Sequence, residues 1–445
     1  MKPGSILLAV IIAIAAGTLP DASVEVRAGL AVFALAGTLW LTEAIPLTYT
    51  ALLIPVAGGL LGLGDTRTLL AGFAHPIIFL FLGGFALAAG LARHGIDRWL
   101  ASRVLTLARG RALQAALLMS LATALLSMWI SNTATTAMML PIALGLLVPL
   151  GDDFPRFRLF LLLGLAWGAN VGGIATLVGS PPNAIAAAHL DWGFADWLKI
   201  GMPVFLILFP LALLLLWVVL RPESDVPRLE TGKEESFPHT REAWMTLGVF
   251  VVTVTLWVFG NLFSDLLGIE GDFDAWVALL AIAMLGVTGT LKWEDIETRV
   301  NWGVLLLFGG GITLGTLMQS SGASSFMAET LEHWLPEGRP WLIYLVIALF
   351  VVFLTELVSN TASTALLVPL FTAVAISLGI TADSVAVLIA VCASCAFMLP
   401  VATPPNALVF GTGYVPQQQM MRCGIRMNLI CAVLLGSLVP LLLLS

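Results

Sequence analysis

Two long apolar stretches, residues 112–150 and 341–378, are each interrupted centrally by the same three residues, Ser131-Asn132-Thr133 and Ser359-Asn360-Thr361. About fifty residues after each comes a second break, Pro181-Pro182-Asn183 and Pro404-Pro405-Asn406. No other feature narrows the fold as much. Irregular backbone inside hydrocarbon-length segments is tolerated only where protein or a water-filled cavity covers it. Written twice and in the same order, the breaks indicate a duplicated helical membrane protein with a binding site at the level of the breaks.

The rest of the chain agrees. Hydrophobic residues make up 59% and charged residues 11%, where a soluble domain carries roughly a quarter charged. Runs such as Phe205 to Leu220 do not alternate in polarity, so the spans are helices and not strands of a barrel. There is no basic tract suited to nucleic acid.

The duplication extends beyond the polar motifs. Phe81–Leu87 resembles Phe308–Leu314 at an offset of 227, Ser-Asn-Thr and Pro141/Pro369 repeat at 228, and Pro-Pro-Asn repeats at 223. The expected organisation starts with a first transmembrane helix in 1–25, its apolar run 5–19 read as a retained helix and not a signal peptide. Repeat 1 (26–220) contains a hairpin at 112–150 and a broken helix at 157–187. A cytoplasmic linker (221–242), mixed in charge and without periodicity, leads to repeat 2 (243–445), with a hairpin at 341–378 and a broken helix at 383–412. Continuous spans are expected at 27–47, 49–64, 76–93, 201–220, 243–264, 274–291, 302–318 and 427–444. The fold class is thus an all-α polytopic membrane protein with about 11 transmembrane helices, two re-entrant helical hairpins, an inverted-topology repeat and two discontinuous helices at the midplane.

Charge sets the expected orientation. With the N-terminus cytoplasmic and the C-terminus outside, only Arg27, Arg67, Lys199 and Arg339 of the 20 Lys and Arg face outward. Lys233 and the Arg93–Arg111 connector then lie inside with the others, a strong positive-inside bias. It requires the hairpins to enter from opposite faces, which makes the repeats inverted.

Every Lys and Arg lies in a loop or at the end of an expected span, and buried acids are nearly as sparse, with Glu356 inside a hairpin and Glu43 near a helix end. That excludes a voltage sensor and a carboxylate proton relay. What remains is neutral oxygen and broken helix ends, which offer carbonyls to a small hard cation and N-termini to an anion. Ser, Asn and Thr cap helices and keep side-chain oxygens available. The paired prolines remove N–H donors and favour unwinding, while Asn183 and Asn406 can pair the freed backbone groups. Cation site 1 is expected at Ser127, Ser131, Asn132 and Gly179. Site 2, by the repeat, is expected at Thr355, Ser359, Asn360 and Ala402. Pro181, Pro182, Asn183, Pro405 and Asn406 support the breaks. An anion between the two tips lacks an arginine partner, so bound cations and helix N-termini must offset its charge.

This constellation closely resembles the divalent anion–sodium symporter family, the INDY-type dicarboxylate carriers, over essentially the whole chain. The paired Ser-Asn-Thr, Gly179–Asn183 (GSPPN) and Ala402–Asn406 (ATPPN) carry the resemblance. It implies substrate carboxylates held by Ser131, Asn132, Thr133, Ser359, Asn360 and Thr361, together with Thr403 and Pro404. It also implies Na+ as coupling ion, a homodimer in the cell (inner) membrane, and an elevator-type motion of hairpins and broken helices against a scaffold. The expected function is sodium-coupled symport of a C4-dicarboxylate (succinate, malate or fumarate). Sodium-independent exchange of di- or tricarboxylates such as citrate, or sodium–sulfate symport, are the alternatives.

Other readings fit less well. Gly62-Leu-Gly-Asp65 matches the G-x-G-D of intramembrane aspartyl proteases, but no Tyr precedes an Asp, and neither H-E-x-x-H nor G-x-S-x-G occurs. The chain is therefore not read as an enzyme. Cys392 and Cys395 lack a second pair or a His cluster, and read as small packing residues. His75, His94, His189, His239 and His333 are scattered near loops. The glycine runs at Gly83-Gly84 and Gly309–Gly311 lack a following Lys and mark close helix packing, not a phosphate loop.

Overall fold

Every regular element among the described residues is helical. The computed structural model describes residues 2–20, 22–151, 153–229, 236–269, 271–332 and 340–444; Lys233, His333 and Arg339 lie outside them. Among the described residues, eight helices are long and apolar enough to cross a membrane, including Val24–Thr42, Phe194–Leu220, Trp302–Ser320 and Gln417–Leu443. Shorter apolar helices such as Pro3–Gly17, Leu47–Leu60 and Phe273–Val287 occupy the other expected spans. Helix length and composition alone do not give the expected count of about eleven.

Both interrupted stretches form helical pairs. In the first, Ala112–Ser127 turns at residues 128–131 into Asn132–Leu147. In the second, Pro340–Leu354 turns into Asn360–Ser377, with Phe350 and Phe371 in ring contact across the arms. The tips are built alike. Ser131 and Ser359 are N-caps whose hydroxyls accept from the Ala134 and Ala362 N–H groups, and Thr136 and Thr364 each donate back to the preceding tip asparagine carbonyl at 2.8 Å. A serine cap satisfies one of the orphan N–H groups that any helix start leaves.

The two expected broken helices are also present. Pro155–Gly172 stops, a short 3₁₀ turn covers Leu177–Gly179, and Pro181–Leu190 begins. Ala382–Ala393 stops, and Pro404–Gly411 begins after ten non-helical residues. The prolines act differently from the expectation. They occupy the first turn of the new half-helix, where the missing N–H would have no partner anyway and the fixed φ suits a helix. They start the second half; they do not unwind the first.

Close approach of these elements depends on small residues, as in membrane helices generally. Gly164, Gly168 and Gly172 form a stripe at four-residue spacing along one face of Pro155–Gly172. A Cβ at Gly164 or Gly168 would sit 2.6–2.7 Å from Ser120 atoms, and one at Gly172 would meet the Ala124 backbone. Gly83 lies against Ala278 and Gly310 against Ala51 in the same way, so the glycine runs do serve helix packing.

Candidate substrate and ion site

Each break is held by its own asparagine, with the same bonds. Asn183 Nδ2 donates to the Gly173 and Thr176 carbonyls, both at 2.8 Å. Asn406 Nδ2 donates to the Ala396 and Leu399 carbonyls at 3.2 and 3.1 Å. Both asparagines reach ten and seven residues back, so the repeat seen in the motifs extends to individual hydrogen bonds. All four carbonyls belong to the segments between the half-helices, where no helical N–H is in register to pair them.

The two breaks touch. Asn170 Nδ2 of the first broken helix points at the Ala396 carbonyl (3.3 Å) and the Thr403 hydroxyl (3.2 Å) of the second. Ser180 Oγ lies 3.3 Å from Ser394 Oγ. Pro404–Gly411 packs on Asn132–Leu147, while Pro181–Leu190 packs on Asn360–Ser377. Each second half-helix therefore leans on the hairpin of the opposite half. Four helix N-termini, at Asn132, Pro181, Asn360 and Pro404, start at hairpin tips or breaks, and each carries partial positive charge.

At the first tip the structure brings Ser127, Asn132 and Gly179 of the expected set together, while Ser131 is exposed and caps its own helix. Ser127 Oγ lies 2.6 Å from Asn132 Oδ1 and 2.8 Å from the Ala169 carbonyl. One hydroxyl proton cannot serve both. The same amide atom of Asn132 stands 3.3 Å from the Gly179 and Ala169 carbonyls. Oriented as oxygen, it faces the two carbonyls with only the Ser127 hydroxyl able to donate to it; rotated, the two amide N–H groups reach Ser127 Oγ and the Gly179 carbonyl while Ser127 donates to Ala169. Gly173 is pressed against this cluster, since a Cβ there would lie 2.6 Å from Asn132 Oδ1.

The second tip is looser. Asn360 Oδ1 is buried with no hydrogen-bond partner, and Thr355 Oγ1 donates back to the Val352 carbonyl at 3.2 Å. Among the described residues, no hydrogen bond joins Asn360 to Thr355, Ser359 or Ala402. Asn170 and Asn183 also leave Oδ1 unmatched, so the layer of the breaks is rich in acceptor oxygen.

Ser127, Gly179, Thr355, Ala402, Thr403, Pro182, Asn183, Pro405 and Asn406 are buried. Asn132, Pro181, Ser359, Asn360 and Thr361 are half-buried, and Ser131, Thr133 and Pro404 are exposed. Thr403 is the N-cap of its half-helix, its hydroxyl accepting from the Asn406 N–H at 3.3 Å.

Glu356 has a larger part than the sequence suggested. Fully buried, it accepts from the backbone N–H groups of Phe397 (2.7 Å), Met398 (2.8 Å) and Leu399 (2.8 Å), and from Asn428 Nδ2 (2.7 Å). All four neighbours are donors, which suits an ionised carboxylate. Glu356 thereby ties the second hairpin to the second break and to the helix Gln417–Leu444. The residue at the matching position of the first repeat is Met128, whose backbone carbonyl accepts from Thr176. Asn170, Asn428 and Gly424 were missed at the sequence level. Two of them are asparagines inside apolar helices, a polarity signal that could have found them.

An all-helical apolar chain in which two broken helices meet two hairpin tips defines a multi-pass membrane transporter, not an enzyme. Comparison with known proteins places it further. Residues 38–392 match the family model described as CitMHS, citrate transporter. An "Uncharacterized transporter" of Haemophilus influenzae is 44% identical over 93% of this chain and 91% of its own length. The "Sodium-dependent dicarboxylate transporter SdcS" of Staphylococcus saprophyticus is 32% identical over 91% of this chain and 84% of its own. The chain belongs to the divalent anion–sodium symporter family, to which the citrate-transporter model is related. Among solved structures, the Neisseria gonorrhoeae MtrF efflux pump (TM-score 0.54, 15% identity, 98% of this chain and 93% of that one) and the Alcanivorax borkumensis YdaH transporter (0.52, 16%, 83% and 86%) share the fold.

Proposed function

We propose that this chain is a sodium-coupled symporter of C4-dicarboxylates. In this reading it sits in the inner membrane as a homodimer, N-terminus inside and C-terminus outside. The repeats 26–220 and 243–445 are inverted, the interrupted stretches are re-entrant hairpins, and the hairpins and broken helices move together as an elevator. The observation that carries the coupling is the acceptor cluster at the first tip. Asn132 Oδ1, Ser127 Oγ and the Gly179 carbonyl converge with too few protons among them, the arrangement a small cation such as Na+ satisfies. Asn360 Oδ1 supplies the corresponding unmatched oxygen at the second tip.

The substrate dianion then lies between Ser131-Asn132-Thr133 and Ser359-Asn360-Thr361, with Thr403 and Pro404 at its side. No span brings it a Lys or Arg, so two cations and the helix N-termini offset its charge. Without them a bare dianion at that depth is very unfavourable, and that cost is the physical basis of coupling. The similarity to a relative named as a sodium-dependent dicarboxylate transporter supports this reading.

One feature favours a second reading, sodium-independent exchange of di- or tricarboxylates. Rotating the Asn132 amide closes the first-tip network with its N–H groups and the Ser127 hydroxyl, and then no cation is needed. Radiolabelled succinate uptake into proteoliposomes decides between them. The symporter accumulates succinate with inward sodium and not with lithium, potassium or a proton gradient. Uptake indifferent to sodium but dependent on internal dicarboxylate would overturn the proposal.

A further inference from the structure

Away from the breaks, a cavity of about 520 Å³ opens between the start of Pro155–Gly172, the end of Phe194–Leu220 and the start of Gln417–Leu444. Arg156, Arg221, Arg422 and Arg426 line it together with Gln419, while Leu159 and Val218–Leu220 form its apolar wall. A fifth of the chain's 20 basic residues thus converge here from three separate helix ends.

Their charge is largely uncompensated. Glu223 is engaged by Arg156 Nε at 3.0 Å and by the N–H groups of Arg156 (3.2 Å) and Phe157 (2.6 Å). Burial works to raise the Glu223 carboxyl, but backbone N–H groups and the Arg156 side chain outweigh it and hold the carboxyl below its usual range. Among the described residues, no carboxylate pairs with Arg221, Arg422 or Arg426. Arg426 also donates to the Arg422 backbone carbonyl, which fixes the Arg426 guanidinium one turn back along its own helix.

The wall says which anion fits. Val218 is 52% exposed and Trp217, beside it, 51%, with Leu214 exposed one turn earlier. These apolar residues run from the arginines along an exposed helix face, with Trp217 in the last turn of Phe194–Leu220, the place where spanning helices are enriched in tryptophan. A soluble anion has no use for such a wall, whereas a lipid places its phosphate among the guanidiniums and its chains along the helix. The volume lies within the ~300–1,000 Å³ common for small-molecule sites, and guanidinium forks match phosphate oxygens bidentately.

We propose that this cavity is a binding site for the phosphodiester headgroup of an anionic phospholipid. Basic pockets between membrane helices serve this purpose elsewhere, at about 1 kcal/mol per Lys or Arg near the surface. At 1.36 kcal/mol per tenfold, each arginine is worth about fivefold in affinity. The test uses the delipidated full chain in detergent, titrated with phosphatidylglycerol, phosphatidylcholine or inorganic phosphate, and read by melting temperature and by lipid retained in native mass spectrometry. Phosphatidylglycerol should stabilise saturably and remain bound, and the other two should not. Arg422→Gln with Arg426→Gln should weaken phosphatidylglycerol about 25-fold, while Arg241→Gln, exposed and outside the cavity, should leave it unchanged. If the double variant melts early in phosphatidylcholine, Arg221→Gln carries the same test at about fivefold. Phosphatidylglycerol binding no tighter than phosphatidylcholine, retained affinity in these variants, or equal protection by inorganic phosphate would each overturn the assignment.

Discussion

Gly424→Ala is the sharpest test of how the second break is held. Gly424 lies in Gln417–Leu444, one helical turn before Asn428, and faces the non-helical segment between the two half-helices. A Cβ added there would sit 2.6 Å from the Met398 nitrogen and closer still to Met398 Cα and the Phe397 carbonyl oxygen. All three are backbone atoms, so no rotamer change relieves the contact. Reaching an ordinary 3.4 Å from the Met398 nitrogen alone requires the helix or the break to retreat by about 0.8 Å, and the two closer atoms require more. If the break moves, the Glu356 bond to Met398 lengthens from 2.8 Å to about 3.6 Å or more, no longer a hydrogen bond. If the helix moves, the 2.7 Å bond from Asn428 to Glu356 is lost instead. Either way a charge-assisted bond of roughly 1.5–3 kcal/mol disappears, on top of about 1–3 kcal/mol for overpacking. The helical propensity of alanine returns roughly 1 kcal/mol, leaving a net loss of about 2–5 kcal/mol. Thermal melting in detergent and uptake in proteoliposomes measure it against two controls. Gly436→Ala meets backbone at 3.2–3.4 Å and should be mild; Gly248→Ala meets nothing within 4 Å and should be neutral or slightly stabilising. Gly424→Ala melting and transporting like Gly248→Ala would refute the account of this contact.

Asn132→Ala and Asn360→Ala should each raise the sodium concentration needed for half-maximal succinate uptake by about five- to 150-fold, since each removes an oxygen worth roughly 1–3 kcal/mol to its partner; normal sodium dependence in both would sink the tip assignment. Glu356→Gln should lower the melting temperature, because an amide cannot accept at both ends. With its oxygen toward Phe397, Met398 and Asn428, its nitrogen faces the Leu399 N–H, leaving a buried donor unpaired at about 1–3 kcal/mol. Asn428→Ala removes one donor of the four and should cost less; the reverse order would contradict the geometry.

Much of the site was legible because its signals are local. Ser131 and Ser359 cap helices with their own hydroxyls, and Asn183 and Asn406 bond carbonyls ten and seven residues earlier. Such contacts are written within one turn or one break. The inference about the prolines failed at the same scale: a Pro-Pro pair can interrupt a helix or begin one, and what decides is whether the preceding turn continues. Here it ends at Gly172 and Ala393, well before the prolines.

By itself the sequence determined that this chain lives in a membrane as helices, and that two pairs of polar breaks recur at nearly one spacing. Apolar length and backbone hydrogen bonding leave few other options. Only the tertiary structure decided what the breaks touch. Asn170 finds Thr403 across 233 residues, Glu356 finds the segment 397–399 and Asn428, and four arginines from three helix ends surround one cavity. Those partners share no period and no motif. They meet because glycines such as Gly172 and Gly424 let backbones approach closer than a methyl group would allow, and a single glycine in an apolar run does not say what it packs against.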